Sequence, residues 1–150
     1  MIENWIIPCN IKRFDVIEYL RTNNTVLWKN SFTIKKDDNA YIYIGAPYSE
    51  IRYRCTVEAD NISDEILRNN AYAKEKSPSN NYFSKSKKEK YVLLRPIMEY
   101  PSGLLPLNKL KEHGLGQVQI QARTDRSLQQ FIDEVDASIL CNKNVGDKNA

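Results

Sequence analysis

Two arginines share one side of a segment whose residue types alternate with a period of two. Alternation of polar residues with aromatic or β-branched residues is typical of a half-buried strand, predicted here over 51–57. Arg52 and Arg54 lie on its polar face with Thr56. The other face is predicted to hold Ile51, Tyr53, Cys55 and Val57. Guanidinium groups close to aromatic rings favour flat, electron-rich, negatively charged ligands, so this strand is a candidate binding surface.

Trp28 is a second candidate for ligand contact. It follows the apolar pair Val26 and Leu27 and precedes the polar residues Lys29 and Asn30. A tryptophan at the junction of a strand and a polar loop is expected to be half exposed, with one face of the indole open. The alternative is that Trp28 is a core residue that plugs one end of the fold.

Segment 71–90 has the lowest sequence complexity in the chain and an excess of lysine over glutamate. We expect a mobile surface loop there. Tyr82 and Phe83 interrupt it, and an aromatic pair in a basic loop is typical of surfaces on which nucleobases stack. A solvated loop with one hydrophobic anchor is the alternative.

Residue arrangements typical of catalysis or metal binding are absent. His113 precedes Gly114 with no nucleophile or carboxylate at a diagnostic spacing, and its position is typical of a helix C-terminus. Cys9, Cys55 and Cys141 form no Cys-x-x-Cys pair, which argues against a zinc site. Glycine-rich phosphate loops and hydrolase motifs do not occur. The sequence therefore favours a binding module without metal or cofactor over an enzyme.

The acidic pair Asp37 and Asp38 precedes a predicted strand. Such a pair can bind a metal ion, but aspartates are far more common as turn residues, whose side chains bond nearby backbone groups. We therefore interpret this pair as turn chemistry.

The composition predicts one soluble domain with a substantial core. The chain has 150 residues, 41% hydrophobic and 27% charged, with a net charge of +3 that permits nucleic-acid binding without requiring it. Neither a basic, apolar leader nor an apolar run of membrane-helix length is visible. Together with the odd number of cysteines, this predicts a cytoplasmic protein without membrane contact.

Hydrophobic periodicity predicts an α+β fold, a twisted mixed β-barrel flanked by short helices. A central hairpin turns at residues 45–49. Strands are predicted over residues 4–9, 25–28, 40–45, 51–57, 91–98 and 117–123. Helices are predicted over residues 13–20, 107–115 and 127–135. Residues 60–70 are predicted to form a loop and a short helix, with Ser63 as a plausible N-cap. A domain over residues 1–138 is expected to precede a polar, disordered tail over 139–150.

Several motifs spread over residues 4–135 occur in a distinctive order and spacing. They are Asn4–Asn10, Trp28, Ala40–Gly45, Ile51–Val57, Leu94–Pro101, Leu105–Gly114 and Gln119–Arg123. In this order the chain resembles the EVE domain, a PUA-like module related to YTH domains. It is most similar to the EVE-like modules found at the N-terminus of modification-dependent restriction proteins, often ahead of an HNH nuclease.

The resemblance implies a PUA-like barrel with a pocket that takes a flipped, modified base into an aromatic cage. By position it implies base contacts from Trp28, Asn10, Lys29, Asn30, Tyr48, Ser49, and Tyr82 or Phe83. Basic side chains would bind the phosphates, namely Arg52, Arg54, Lys85, Lys87 and Lys88. Asp38–Asn39 stands where relatives have Gly-Asp, a departure that affects a turn more than the pocket.

We therefore expect a module that reads a modified base in DNA, with no catalytic or metal site of its own. It would be the specificity part of a restriction or defence system, with a nuclease domain or subunit as its partner. A PUA-like module that recognises modified or structured RNA is the alternative. A barrel that binds small molecules or proteins is a third interpretation.

Overall fold

The computed structural model describes residues 2–30, 33–63, 90–116, 118 and 121–148. Within these ranges the chain forms six strands and three helices. In chain order they are β1 (Asn4–Cys9), α1 (Val16–Thr22), β2 (Val26–Lys29), β3 (Asn39–Ile44), β4 (Glu50–Ser63), β5 (Lys90–Glu99), α2 (Leu107–Glu112), β6 (Ala122–Arg123) and α3 (Arg126–Lys148). None of the described helices has the length and hydropathy needed to cross a membrane.

All six strands form one twisted sheet in the order β2-β5-β4-β3-β1-β6, with β1 and β3 parallel and the other pairs antiparallel. The sheet is not closed, so the predicted barrel is wrong. Among the described residues no ladder joins the edge strands β2 and β6. β6 has only two residues, and a side chain makes the contact instead: Gln121 Nε2 donates to the Lys29 carbonyl at 2.6 Å.

Apolar side chains cover both faces of the sheet, because strand residues point alternately to either side. On one face α1 packs over residues that include Trp5, Ile42 and Val57. On the other face α2 and α3 pack over residues that include Tyr41 and Tyr100. β3 is therefore buried on both sides, as its apolar composition predicts.

A β-bulge at Arg52 changes the sidedness of the central hairpin. Ile42 pairs with Tyr53, whereas the next residue, Tyr43, pairs with Ile51, so β4 holds one extra residue. Ile51 consequently shares a core with Tyr43, while Tyr53 stays on the face that α1 covers. The prediction that Ile51 shares a face with Tyr53, Cys55 and Val57 is wrong, because one inserted residue inverts the alternation.

Several element boundaries differ from those predicted. β4 continues to Ser63, so the loop predicted to begin at Asp60 is strand as far as Ser63. The short helix predicted after Ser63 lies outside the described residues. Within the strand predicted over 117–123, only Ala122–Arg123 is described as strand. α3 runs to Lys148, through the predicted domain boundary at 138.

The apolar stripe of α3 explains its length. Leu128 and Ile132 are buried, and Ile139 packs against the same core one turn after Val135. The stripe thus extends α3 past the predicted boundary at 138, and the helix continues to Lys148, where a disordered tail was predicted.

A buried aspartate holds the start of β1 against the turn before β3. The Asp38 carboxylate accepts hydrogen bonds from Glu3 N, Trp5 Nε1 and Lys35 N, each at 3.0 Å. The parallel register then runs from Asn4 opposite Asn39 to Cys9 opposite Ile44. The interpretation of Asp38 as a turn residue is confirmed. Asp38 also aligns the starts of β1 and β3, and because the two strands are equally long, their ends are aligned as well.

We predict that Asp38→Ala lowers the free energy of unfolding by about 3–5 kcal/mol, because three donors lose a charged acceptor. Urea denaturation followed by circular dichroism measures this loss. The matched control is Asp60→Ala, which removes two exposed hydrogen bonds, from Lys36 N at 2.7 Å and from Asn61 Nδ2 at 3.3 Å. The control should cost about 1 kcal/mol or less. Equal losses in the two variants would contradict the role assigned to Asp38.

Candidate functional site

A cleft of about 510 Å³ opens at the carboxyl ends of β1 and β3. We call it the strand-end cleft, and its described lining residues are Pro8, Cys9, Asn10, Lys12, Tyr43, Gly45, Ala46 and Val118. Parallel strands place their ends at the same sheet edge, so the loops that follow them begin side by side. Gly45 N donates to the Cys9 carbonyl at 3.0 Å and joins the two ends. The volume is typical of small-ligand clefts.

The loop after β1 orients the side chain of Asn10. Lys12 N donates to Asn10 Oδ1 at 3.1 Å, an interaction typical of an Asx turn. The Asn10 carbonyl accepts from Arg13 N at 3.0 Å and Phe14 N at 3.1 Å. The exposed amide therefore keeps its Nδ2 group as a hydrogen-bond donor at the cleft, beside the exposed Lys12.

The turn after β3 forms the neighbouring wall. Tyr48 N and Ser49 N both donate to the Gly45 carbonyl, at 3.1 and 3.3 Å. Tyr48 is 44% exposed and lies two residues after Ala46, which lines the cleft. The Ser49 side chain hydrogen-bonds the Tyr43 hydroxyl, and the Ser49 carbonyl accepts from Leu107 N at 2.9 Å. Tyr48 thus offers a free ring, whereas Ser49 supports the turn.

Cys9 and Tyr43, which line the cleft, both have raised pKa values. Burial, with a smaller contribution from the Asp15 carboxylate, raises the pKa of the Cys9 thiol to about 12. Burial also raises the pKa of the Tyr43 phenol. Both groups are protonated at neutral pH, so neither is a ready nucleophile or base. Among the described residues, no group of three or more His, Cys, Asp or Glu could hold a metal ion.

Trp28 lies in the core beneath α1. Its side chain is 4% exposed, and its ring packs edge-on against Phe14 with 6.5 Å between centroids. The expectation of a half-exposed indole is wrong, because Phe14 and the apolar residues around Val16 cover it. The alternative of a core residue is confirmed. Phe14 also links the indole to the cleft, since its carbonyl lies 3.5 Å from Cys9 Sγ.

Lys29 and Asn30 follow Trp28 at the end of β2 and are not among the described lining residues of the cleft. Asn30 Nδ2 donates to the Ile34 carbonyl at 3.0 Å, and Asn30 N donates to the Lys90 carbonyl at 2.9 Å. This amide therefore shapes its own loop. The base-binding roles of Trp28, Lys29 and Asn30 stay predictions.

Arg52 and Arg54 pair with carboxylates of the protein itself. Arg54 Nη1 lies 2.7 Å from Asp136 Oδ2, and its guanidinium carbon is 5.8 Å from the centroid of the Tyr41 ring. Arg52 pairs with Glu50 and Glu99 at 3.4 and 3.6 Å. These contacts satisfy the positive charges internally, so the geometry gives no support to the predicted phosphate contacts.

The structure thus places Asn10 in the lining of the cleft and Tyr48 and Ser49 on the turn beside it. The other described candidates, Trp28, Lys29, Asn30, Arg52 and Arg54, are not among its described lining residues. Tyr82, Phe83, Lys85, Lys87 and Lys88 lie outside the described residues.

The sequence did not predict Lys12, Gly45 and Ala46 as residues of this cleft. Two apolar strands end just before Asn10 and Gly45, and this pattern is visible in the sequence. It predicts a shared cleft only if the two strands are known to be parallel neighbours.

We predict that Trp28→Ala lowers the free energy of unfolding by about 3–5 kcal/mol, because it leaves a cavity in a packed core. Chemical denaturation measures the loss. Tyr48→Ala is the matched control, since it truncates an exposed aromatic ring and should change stability by about 0.5 kcal/mol or less. A fully stable Trp28→Ala variant would contradict the core position of this ring.

No family model and no curated protein matches this chain. Among solved structures, ASCH from Zymomonas mobilis is similar at 16% identity and a TM-score of 0.65, covering 88% of this chain and 94% of its own. A hypothetical protein from Leishmania major is similar at 13% identity and a TM-score of 0.61, covering 93% of this chain and 98% of its own. At these identities the likeness establishes the fold alone. ASCH domains share the PUA-like fold class with EVE domains, so the chain has a PUA-like fold and the finer EVE assignment stays a prediction.

Proposed function

We propose that this protein is a nucleic-acid-binding module that reads a modified base in DNA, flipped out of its strand into the strand-end cleft. The observation that carries the proposal is the placement of the Asn10 amide and the Lys12 cation on one side of the cleft, with the exposed Tyr48 ring on the neighbouring turn. These groups supply edge recognition, charge and stacking. The PUA-like fold shared with ASCH supports it at the level of fold.

The energies are compatible with base capture. Stacking of a base on an aromatic side chain contributes roughly 1–3 kcal/mol. Extrusion from a duplex costs about a few kcal/mol, so hydrogen bonds from Asn10 and phosphate contacts must supply the rest. A methyl or hydroxymethyl group on the base would fill space beside the apolar residues Pro8 and Val118. Each methylene-sized group is worth about 1–3 kcal/mol of discrimination.

The module acts by binding and not by catalysis. The raised pKa values of Cys9 and Tyr43 support this view, since both groups hold their protons at neutral pH. In a modification-dependent restriction or defence system the module would supply the specificity, and a nuclease domain or subunit would supply cleavage.

RNA is the alternative ligand, because the same cleft features suit a base from either nucleic acid. A module for modified or structured RNA would use the 2′-hydroxyl group as a further contact. Competition between DNA and RNA of matching sequence, each with the same modified base, decides between the two.

We predict that Tyr48→Ala weakens binding of a modified oligonucleotide by about tenfold, because the base loses its stacking partner. Fluorescence anisotropy measures the affinity, and circular dichroism checks the fold. Ile97→Ala is the matched control, since it truncates another exposed apolar side chain, on β5. An unchanged affinity in Tyr48→Ala would remove this ring from the site.

Lys12→Ala should weaken binding and reduce the slope of log affinity against log salt by about one, because one phosphate contact is lost. Lys36→Ala is the matched control, since this exposed lysine precedes β3 at the end opposite the cleft.

Neutralising Lys85, Lys87 and Lys88 should weaken binding of modified and plain DNA equally. An affinity that does not depend on salt would contradict the phosphate contacts.

A further inference from the structure

A buried carboxylate follows directly after the turn that carries Tyr48. Glu50 is the first residue of β4 and is only 3% exposed. Its Oε1 atom accepts from Gly103 N at 2.8 Å, and its Oε2 atom lies 3.4 Å from Arg52 Nη1. Burial of a carboxylate is costly without such partners. Glu50 is not among the described lining residues of the strand-end cleft, so its effect on a ligand there is indirect.

The residues that leave this turn, 49–51, are joined through the backbone to residues 103–107. The contacts are the hydrogen bond from Leu107 N to the Ser49 carbonyl at 2.9 Å, the β-bridge between Glu50 and Pro106, and the hydrogen bond from Ile51 N to the Leu105 carbonyl at 3.0 Å. The Glu50 carboxylate adds a fourth contact at Gly103, before this series begins. It therefore fastens residues 103–107 against the exit of the turn.

The turn itself holds one residue in an unfavourable backbone conformation. Ser49 has a φ of 50°, in the left-handed region, where a side chain brings steric strain. Such a conformation persists when contacts from the surrounding structure hold it in place. Tyr48 N and Ser49 N close the turn on the Gly45 carbonyl, and the contacts with residues 103–107 hold it from the other side.

We infer that Glu50 is a positioning residue, which fixes Tyr48 beside the strand-end cleft through the turn that it anchors. Its carboxylate holds residues 103–107 against residues 49–51, and these residues hold the turn. Without the carboxylate the turn opens more often, and a ligand that stacks on Tyr48 must first order it again. This inference rests on the proposed function and adds a residue that acts through Tyr48.

The first test follows the turn without a ligand, by amide hydrogen exchange measured with NMR. In Glu50→Ala the amide hydrogens of Tyr48 and Ser49 should exchange about tenfold faster than in the wild type, because the turn opens locally. Glu99→Ala is the matched control, since Glu99 also pairs with Arg52, at 3.6 Å, but its side chain is 60% exposed. The control should leave both rates unchanged. Wild-type rates in Glu50→Ala would overturn the inference.

The second test asks whether Glu50 acts through Tyr48. The ligand is a single-stranded DNA oligonucleotide with one 5-hydroxymethylcytosine, and fluorescence anisotropy measures the affinities of a double-mutant cycle. Glu50→Ala should weaken binding about threefold in the wild type, but hardly at all in the Tyr48→Ala background, because the contact through which it acts is already lost. An equal loss in both backgrounds is the result of a merely structural role and would overturn the inference. Glu99→Ala matches the change in charge.

Glu50→Gln is the second variant, in case Glu50→Ala does not fold. Its amide oxygen can still accept from Gly103 N, whereas the ion pair with Arg52 is lost. The amide hydrogens of Tyr48 and Ser49 should then exchange about threefold faster than in the wild type, and unchanged rates would contradict the inference. A wild type that binds no modified strand would overturn the proposed function, while the exchange rates would still decide whether Glu50 holds the turn.

Discussion

The three hydrogen bonds that Asp38 accepts are the constraint on which the rest of this fold depends. They tie the first residues of β1 and the loop before β3 to one buried carboxylate. Two parallel strands of equal length then finish together, at Cys9 and Ile44. The strand-end cleft exists because β1 and β3 both end at this side of the sheet, and its walls are the two loops that follow these strands.

Positive charge is paired on one face of the sheet and unpaired, among the described residues, at the strand-end cleft. On the face covered by α2 and α3, Arg54 and the Tyr100 hydroxyl both bond Asp136, at 2.7 and 2.6 Å. These contacts fasten α3 to the sheet and leave little positive charge for a ligand. Lys12, at the cleft, makes no ion pair with any described residue, so its charge is available to an anionic partner.

Several groups in and beside the cleft are held in place by backbone hydrogen bonds. Lys12 N bonds the Asn10 side chain, and Tyr48 N and Ser49 N close the turn that carries Tyr48, so the protein's own contacts fix both loops. Such preorganisation reduces the entropy that binding must overcome. The thiol and phenol that line the same cleft keep their protons at neutral pH, because burial raises both pKa values.

By itself the sequence determined most strands and helices and the turn at 45–49, because periodicity and turn residues act over a few neighbours. Asn10 and Tyr48 were predicted as site residues from the family resemblance, by position. Only the tertiary structure decided the parallel pairing of β1 with β3, the open sheet, the bulge at Arg52 and the burial of Trp28. Each of these depends on contacts between distant segments, such as Arg54 with Asp136 across 82 positions. Local patterns specify which side of a strand is apolar, but partners far along the chain decide which polar groups remain free for a ligand.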